Sequence, residues 1–187
     1  MVQTPSKPLT LEEFLKLPET KPATEYIDGQ IIQKPMPQGK HSAIQGELVT
    51  AINAVVRYKR IARAFPELRC TFGAHSTVPD VSVFVWDRIK RDRNGEIANV
   101  FKAAPDWTIE ILSPAQSQTK VTKNTLHCFK YETQMGWLID LDEQTVFVYL
   151  PQQQTEVFEE SGEQILVPSF ASELRLTVGD LFDWLLD

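Results

Sequence analysis

Apolar residues recur at three- and four-residue steps between positions 41 and 57, at Ile44, Leu48, Ala51, Ile52 and Val55. That spacing predicts a helix with one buried face. Upstream, Thr10-Leu11-Glu12-Glu13 has the form of a capping box, in which the Thr10 hydroxyl and the Glu13 carboxylate satisfy each other's free backbone N–H groups; Pro18 ends that helix. Two short runs at 25–27 and 30–32 flank Asp28-Gly29, a pair suited to the positive φ angles of a type I′ turn, and so predict a hairpin. Beyond the long helix, 68–72 and 78–85 read as strands. The second is nearly continuous in Val and Phe, as expected of a central strand covered on both faces. The charged stretch 87–99 is a solvated excursion. A strand over 106–112 is broken by Ser113-Pro114. A helix over 120–131 follows, with Val121, Cys128 and Phe129 inward and Lys120, Lys123, His127 and Lys130 on a common side. Strands at 136–140, 145–150, 156–158 and 165–167 and an amphipathic helix at 178–186 complete the chain. A strand, a crossover helix and another strand imply an α/β (α+β) fold with a mixed central sheet and helices on both faces.

The 187 residues suffice for one domain with a sizeable core. With 25 acidic and 19 basic residues the formal charge is -6, so no global positive field draws in nucleic acid, and any grip on a polyanion must be local. Two cysteines, Cys70 and Cys128, are too few for a disulfide framework and suit a reducing cytoplasm. Residues 1–8 lack the apolar run of a signal peptide. No stretch approaches the roughly 20 apolar residues of a membrane span. The expectation is a cytoplasmic protein with no membrane contact.

Candidate chemistry enters with two carboxylates in apolar surroundings, Asp80 in Val78-Pro79-Asp80-Val81 and Glu110 in Trp107-Thr108-Ile109-Glu110-Ile111-Leu112. Ionised carboxylates there cost several kcal/mol each unless partnered, and a divalent cation can partner two at once. Glu47 borders the buried face of the long helix, from which a carboxylate can point toward a cleft, and Glu25 is a further acid near the rim. The bland alternatives are a turn cap or an arginine pair for Asp80, a structural ion pair for Glu110, a solvated helix position for Glu47 and a hydrated helix face for the lysines. Pro105-Asp106 shows how common the Pro-Asp dipeptide is. The three histidines, His41, His75 and His127, have no metal-ligand spacing.

Glu-Tyr-Ile-Asp-Gly, the helix opened by His41, Val-Pro-Asp-Val, Ile-Glu-Ile-Leu-Ser-Pro and Gly-Trp-Leu-Ile-Asp occur in an order that resembles the Uma family of restriction-endonuclease-like proteins. The resemblance runs from about Leu11 to Leu150. It implies the PD-(D/E)XK nuclease fold, with a nuclease-like core over 24–150 and an extension over 151–187 within the single domain 1–187. It also implies hydrolysis of DNA phosphodiesters with Mg²⁺, or Mn²⁺ in its place. By motif, Asp80 resembles the aspartate of the "PD" element, Glu110 the acid of the second strand and Glu47 the helix glutamate completing the metal site. The departure is Leu112, two residues after Glu110, where the simplest motif places a lysine. Lys123 or Lys120 on the next helix is the expected replacement, with Asn124 in an adjacent slot.

Such residues have a chemical reason to gather: phosphodiester hydrolysis requires an activated water, neutralised nonbridging oxygens and help for the leaving alkoxide. For the substrate backbone, Arg57, Lys59 and Arg60, with Arg63, and Arg88 with Lys90, Arg91 and Arg93, are dense basic patches. Cutting both strands of a duplex suits a homodimer. Two other functions are compatible with the same residues: a degenerate nuclease-fold module that binds nucleic acid or protein without cutting, and a metal-dependent hydrolase of a smaller phosphate ester.

Overall fold

A computed structural model of the chain describes residues 9–114 and 116–186. The stretch 1–8, read above for a signal peptide, lies outside them. In chain order the elements are α1 (Leu11–Phe14), β1 (Thr24–Ile27), β2 (Gln30–Gln33), α2 (Gly39–Val56), β3 (Ala62–Pro66), β4 (Cys70–Phe72), β5 (His75–Thr77), β6 (Val81–Val85), β7 (Trp107–Leu112), α3 (Gln118–Phe129), β8 (Met135–Asp140), β9 (Thr145–Tyr149), β10 (Glu156–Phe158) and α4 (Val178–Asp183). The predicted capping box at Thr10 forms, and so does the hairpin, with Asp28 and Gly29 both at positive φ.

The strands divide between two sheets. The smaller has the order β2-β1-β5-β4; the larger has six strands in the order β10-β9-β8-β7-β6-β3. The larger sheet is mixed: β7 and β8 are parallel, joined through α3, and their neighbours are antiparallel. The expected strand at 78–85 is shorter, beginning only at Val81: β5, just before it, belongs to the small sheet, Val78-Pro79-Asp80 crosses between sheets, and β6 lies in the large sheet, inside its edge strand β3. Strand β3 had no sequence signal because Arg63 and Pro66 interrupt its apolar pattern. The expected strand at 165–167 does not form; Gln164 instead makes an isolated bridge to Thr177.

Side-chain alternation assigns the two faces of the large sheet. Val81, Val83, Trp107, Ile109 and Ile111 pack in one core with Ile44, Leu48, Ile52 and Val56 of α2 and with Ile165, Leu176, Leu181 and Phe182 from the C-terminal part. Glu110 therefore projects from the other face, toward α3 and the small sheet. Among the described residues, no helix is long and apolar enough to cross a membrane.

Gly136 fixes how closely α3 approaches β8. A Cβ added there would lie 2.2 Å from Thr125 Cγ2, well inside contact distance. Gly136→Ala is therefore expected to cost about 1–3 kcal/mol in urea unfolding, as overpacking does. Adding Thr125→Ser, which removes that methyl, should recover most of the loss; equal stability of the single and double variants would contradict this packing account.

Candidate active site

Asp80 ends the crossing segment, and Glu110 lies on β7 beside it, since Val81 pairs with Ile109 across the two strands. Both are buried, at 2% and 5% exposure. Between them reaches a lysine that the motif comparison missed. Lys34, one residue past β2, donates from Nζ to Asp80 Oδ1 at 2.7 Å, to the Val78 carbonyl at 2.7 Å and to Glu110 Oε2 at 3.3 Å. Glu25 on β1 accepts from the Val78 N–H at 2.7 Å, so both backbone polar groups of Val78 are held, one by β1 and the other by the residue that follows β2.

Further contacts lock the aspartate. Asp80 Oδ2 accepts the Ile111 N–H at 2.7 Å, and its carbonyl accepts from Gln45 Nε2 at 2.8 Å. His41, in the first turn of α2, places Nε2 3.4 Å from Asp80 Oδ1 without hydrogen-bond alignment, while Nδ1 lies 3.4 Å from Ser113 Oγ.

The electrostatics separate the acids. Burial acts to raise the Asp80 pKa, but the Lys34 charge, His41 and the Ile111 N–H overcome it and hold the carboxyl at about 2. Burial dominates at Glu110 and Glu25, raising both above the ordinary glutamate range although Lys34 pulls the other way. At Lys34 burial favours the neutral amine, yet Glu110, Asp80 and Glu25 together raise its pKa and keep it an ammonium.

The expected trio of Glu47, Asp80 and Glu110 does not assemble. Glu47 is exposed and makes no ion pair or side-chain hydrogen bond among the described residues. At about 100° per residue it points some 200° around α2 from Gln45, the side chain that reaches Asp80. α2 also covers the face of the sheet opposite to Glu110. The third acid on the Glu110 side is Glu25. Lys120 and Lys123 make no contact with the pair; both are exposed and line a cleft of about 330 Å³ with Glu25, Ile32, Lys34 and Asn124. Leu112 does lie on the Glu110 face, where it packs against Val121, Leu138 and Tyr149. The cation comes from the hairpin instead.

The sequence does carry a signal for Lys34. Glu25 pairs with Ile32 across the hairpin, and Lys34 lies two residues after Ile32, so alternation carries it to the same face as Glu25.

Among the described residues no group of three or more His, Cys, Asp or Glu is arranged to hold a metal ion. The donor chemistry nonetheless suits one: an oxygen from each of two buried carboxylates faces a common point, and Mg²⁺ is ordinarily held by one or two carboxylates with water and substrate oxygens.

The basic residues fall elsewhere. Arg57 and Arg60 line a pocket beyond the far end of α2, Lys59 pairs with Glu173, and Arg88 is engaged by Asp106.

Among curated proteins none matches this chain. Among solved structures, a crystal structure described as a "putative nuclease belonging to DUF820" from Anabaena variabilis is 75% identical, with a TM-score of 0.94 over 95% of this chain and 99% of that one. The family model of Uma2, described as "Putative restriction endonuclease", matches residues 11–179, a span that holds the hairpin, α2, Asp80, Glu110 and α3. The order of motifs and the fold built around them agree, and the chain belongs to the Uma2 family.

Proposed function

We propose that this protein is a divalent-metal-dependent endonuclease that hydrolyses DNA phosphodiesters, using Asp80 and Glu110 with Lys34 as the cation of its motif. One observation carries the reading: a single ammonium within 2.7 Å of Asp80 and 3.3 Å of Glu110, at the meeting of two sheets in a nuclease-like fold. Leu112 therefore does not leave the site without a lysine.

Asp80 and Glu110 would hold the ion, and Glu25 would add negative charge beside them. A bound Mg²⁺ or Mn²⁺ would supply Lewis acidity toward a phosphate oxygen and a water of lowered pKa. Asp80 is preset for ligation, because its carboxyl is ionised throughout the neutral range and its second oxygen is fixed by the Ile111 N–H. Lys34 is placed to offer its protons to a nonbridging oxygen, where they would offset charge building on phosphorus. Lys120 and Lys123, at the cleft mouth, would meet the approaching backbone. Cutting a duplex on both strands would suit a symmetric pair of copies, and the free, buried Cys70 and Cys128 suit a reducing cytoplasm.

Incubation with supercoiled plasmid and Mg²⁺ or Mn²⁺ tests this. The protein should nick the plasmid, and Asp80→Asn and Glu110→Gln should each lower the rate by about 10²-fold or more while remaining folded. Equal nicking by all three would assign the activity to a contaminant. The ammonium filling the point between the carboxylates favours one competing reading, a module that binds without cutting. Salt-sensitive DNA binding with no cleavage in either metal would establish it, and turnover of an aryl phosphodiester but not DNA would indicate a smaller natural ester.

A further inference from the structure

Four arginines surround a pocket of about 650 Å³ at the end of the large sheet away from Asp80 and Glu110. Arg57 and Arg60 follow the C-terminus of α2, Arg63 lies on β3, and Arg91 comes from the excursion after β6. Two aromatic rings join them. Tyr58 is 85% exposed, and Trp86 immediately follows β6. In a chain of net charge -6 such a concentration of one sign needs a reason.

Internal pairing does not supply it. Arg69 and Arg88 each hold a carboxylate, whereas none of the four forms an ion pair among the described residues. Arg57 and Arg91 instead lie over the rings of Tyr58 and Trp86, at 5.8 and 5.3 Å, and Arg63 lies over Phe65 at 5.1 Å. Burial, then the charges of Arg57 and Arg91, lower the pKa of Arg63 from its ordinary value, so an anion in the pocket would relieve a repulsion already present. Arg60 adopts φ 54, a left-handed position after a helix that ordinarily takes Gly or Asn.

We propose that this pocket is a second nucleic-acid contact, which anchors a single-stranded stretch by its phosphates and stacks a base on Tyr58 or Trp86. Unpaired guanidinium groups beside exposed rings are the equipment of strand binding without base readout. The length of β6 separates Asp80 from Trp86, about 20 Å at roughly 3.3 Å per residue. The anchored segment is therefore not the one being cut. The proposal rests on the reading of DNA as substrate, but its binding arm does not require cleavage.

Titration of a fluorescent oligonucleotide of roughly 20 nucleotides into the Glu110→Gln protein, across a salt series, reads the contact directly. Four neutralised phosphates give a log-affinity slope against log salt of about −3. Arg57→Gln with Arg63→Gln should flatten that slope by about 1.4 and weaken binding at low salt by about tenfold or more. Arg60→Gly, which suits the left-handed backbone, should flatten it by about 0.7. Tyr58→Ala should weaken binding by about fivefold or more with the slope unchanged. In the cleavage-competent protein the arginine variants should raise KM for DNA and leave turnover of a small aryl phosphodiester unchanged. Unaltered affinity and slope in all variants would overturn the anchor, and wild-type cleavage would then leave the nuclease reading standing. Flattened slopes in a protein that cuts nothing would retain the anchor and remove the nuclease.

Discussion

Lys34→Met is expected to lose about 10²-fold or more in phosphodiester hydrolysis and, with it, about 3–5 kcal/mol of folding stability. Both losses come from the same ammonium. It is the cation in contact with Asp80 and Glu110, and the hairpin that carries it also holds Glu25. Methionine keeps the volume of the stem and leaves three buried acids facing one another. Their response should be visible as pH dependence. Glu110 and Glu25 already have raised pKa values in the fold, with Lys34 acting to lower them, so its removal raises them further. An acid whose folded pKa is raised favours folding below its unfolded pKa and loses that contribution as pH rises through the folded value. Asp80 has the opposite sign: its folded pKa of about 2, against 3.8 unfolded, adds stability above pH 4 that fades as pH falls toward 2. Loss of Lys34 shrinks that contribution too. The deficit of Lys34→Met relative to wild type should therefore be largest at neutral pH and smallest below about pH 4. Melting curves across that range would show it, and a deficit independent of pH would contradict the electrostatic account. Adding Glu110→Gln should restore part of the stability at neutral pH and none of the activity. That separates the structural consequence from the chemical one.

Asp106→Ala is expected to destabilise by a similar amount, about 3–5 kcal/mol, without a catalytic signature. Asp106 is 1% exposed, and every group around its carboxylate is a donor. Oδ2 accepts the Val85 N–H at 2.8 Å; Oδ1 accepts from Arg88 at 2.6 Å and from Gln134 at 3.2 Å. Its own N–H donates to the Val83 carbonyl, and its carbonyl accepts the Gln134 N–H at 2.7 Å, so one residue ties together the neighbourhoods of β6, β7 and β8. Alanine would leave Arg88 and a strand N–H facing a void. Asn should be nearly as harmful, because its amide would turn a donor toward one of these donors. Urea unfolding measures the loss. Activity per folded molecule should stay near wild type, whereas at Asp80 the chemistry should fail first. A rate collapse in folded Asp106→Ala would mean that the far ends of β6 and β7 reach the chemistry.

These two aspartates mark how far residue order alone could be read. Each follows a proline and opens a buried strand of the same sheet, and the dipeptide is identical. What distinguishes them is the partner: a lysine 46 positions upstream for Asp80, an arginine 18 positions upstream for Asp106. Neither separation follows from any local periodicity. Asp80 and Glu110 were visible as candidates because a carboxylate in a run of Val, Ile and Trp is locally anomalous whatever surrounds it. Glu47 looked equally eligible from its border position on α2. It is not near the pair because α2 packs on the face of the sheet away from Glu110, a choice made by the core. Lys120 and Lys123 were correctly placed on one side of a helix, yet that side borders the cleft mouth and falls short of the acids.

What residue order did determine here are the parts governed by neighbours in sequence: the capping box at Thr10, the Asp28-Gly29 turn, the periodic face of α2, the apolar strands and the family motifs spaced along them. Those features cost or gain free energy within a few residues, so they are legible before the long-range packing is known. The tertiary structure alone decided that Val78-Pro79-Asp80 crosses from one sheet to the other, that the C-terminal part joins the α2 core, and that Lys34, just past the hairpin, reaches Asp80 and Glu110. A buried charge must find its counterion across space, and which one it finds is set by how the sheets pack.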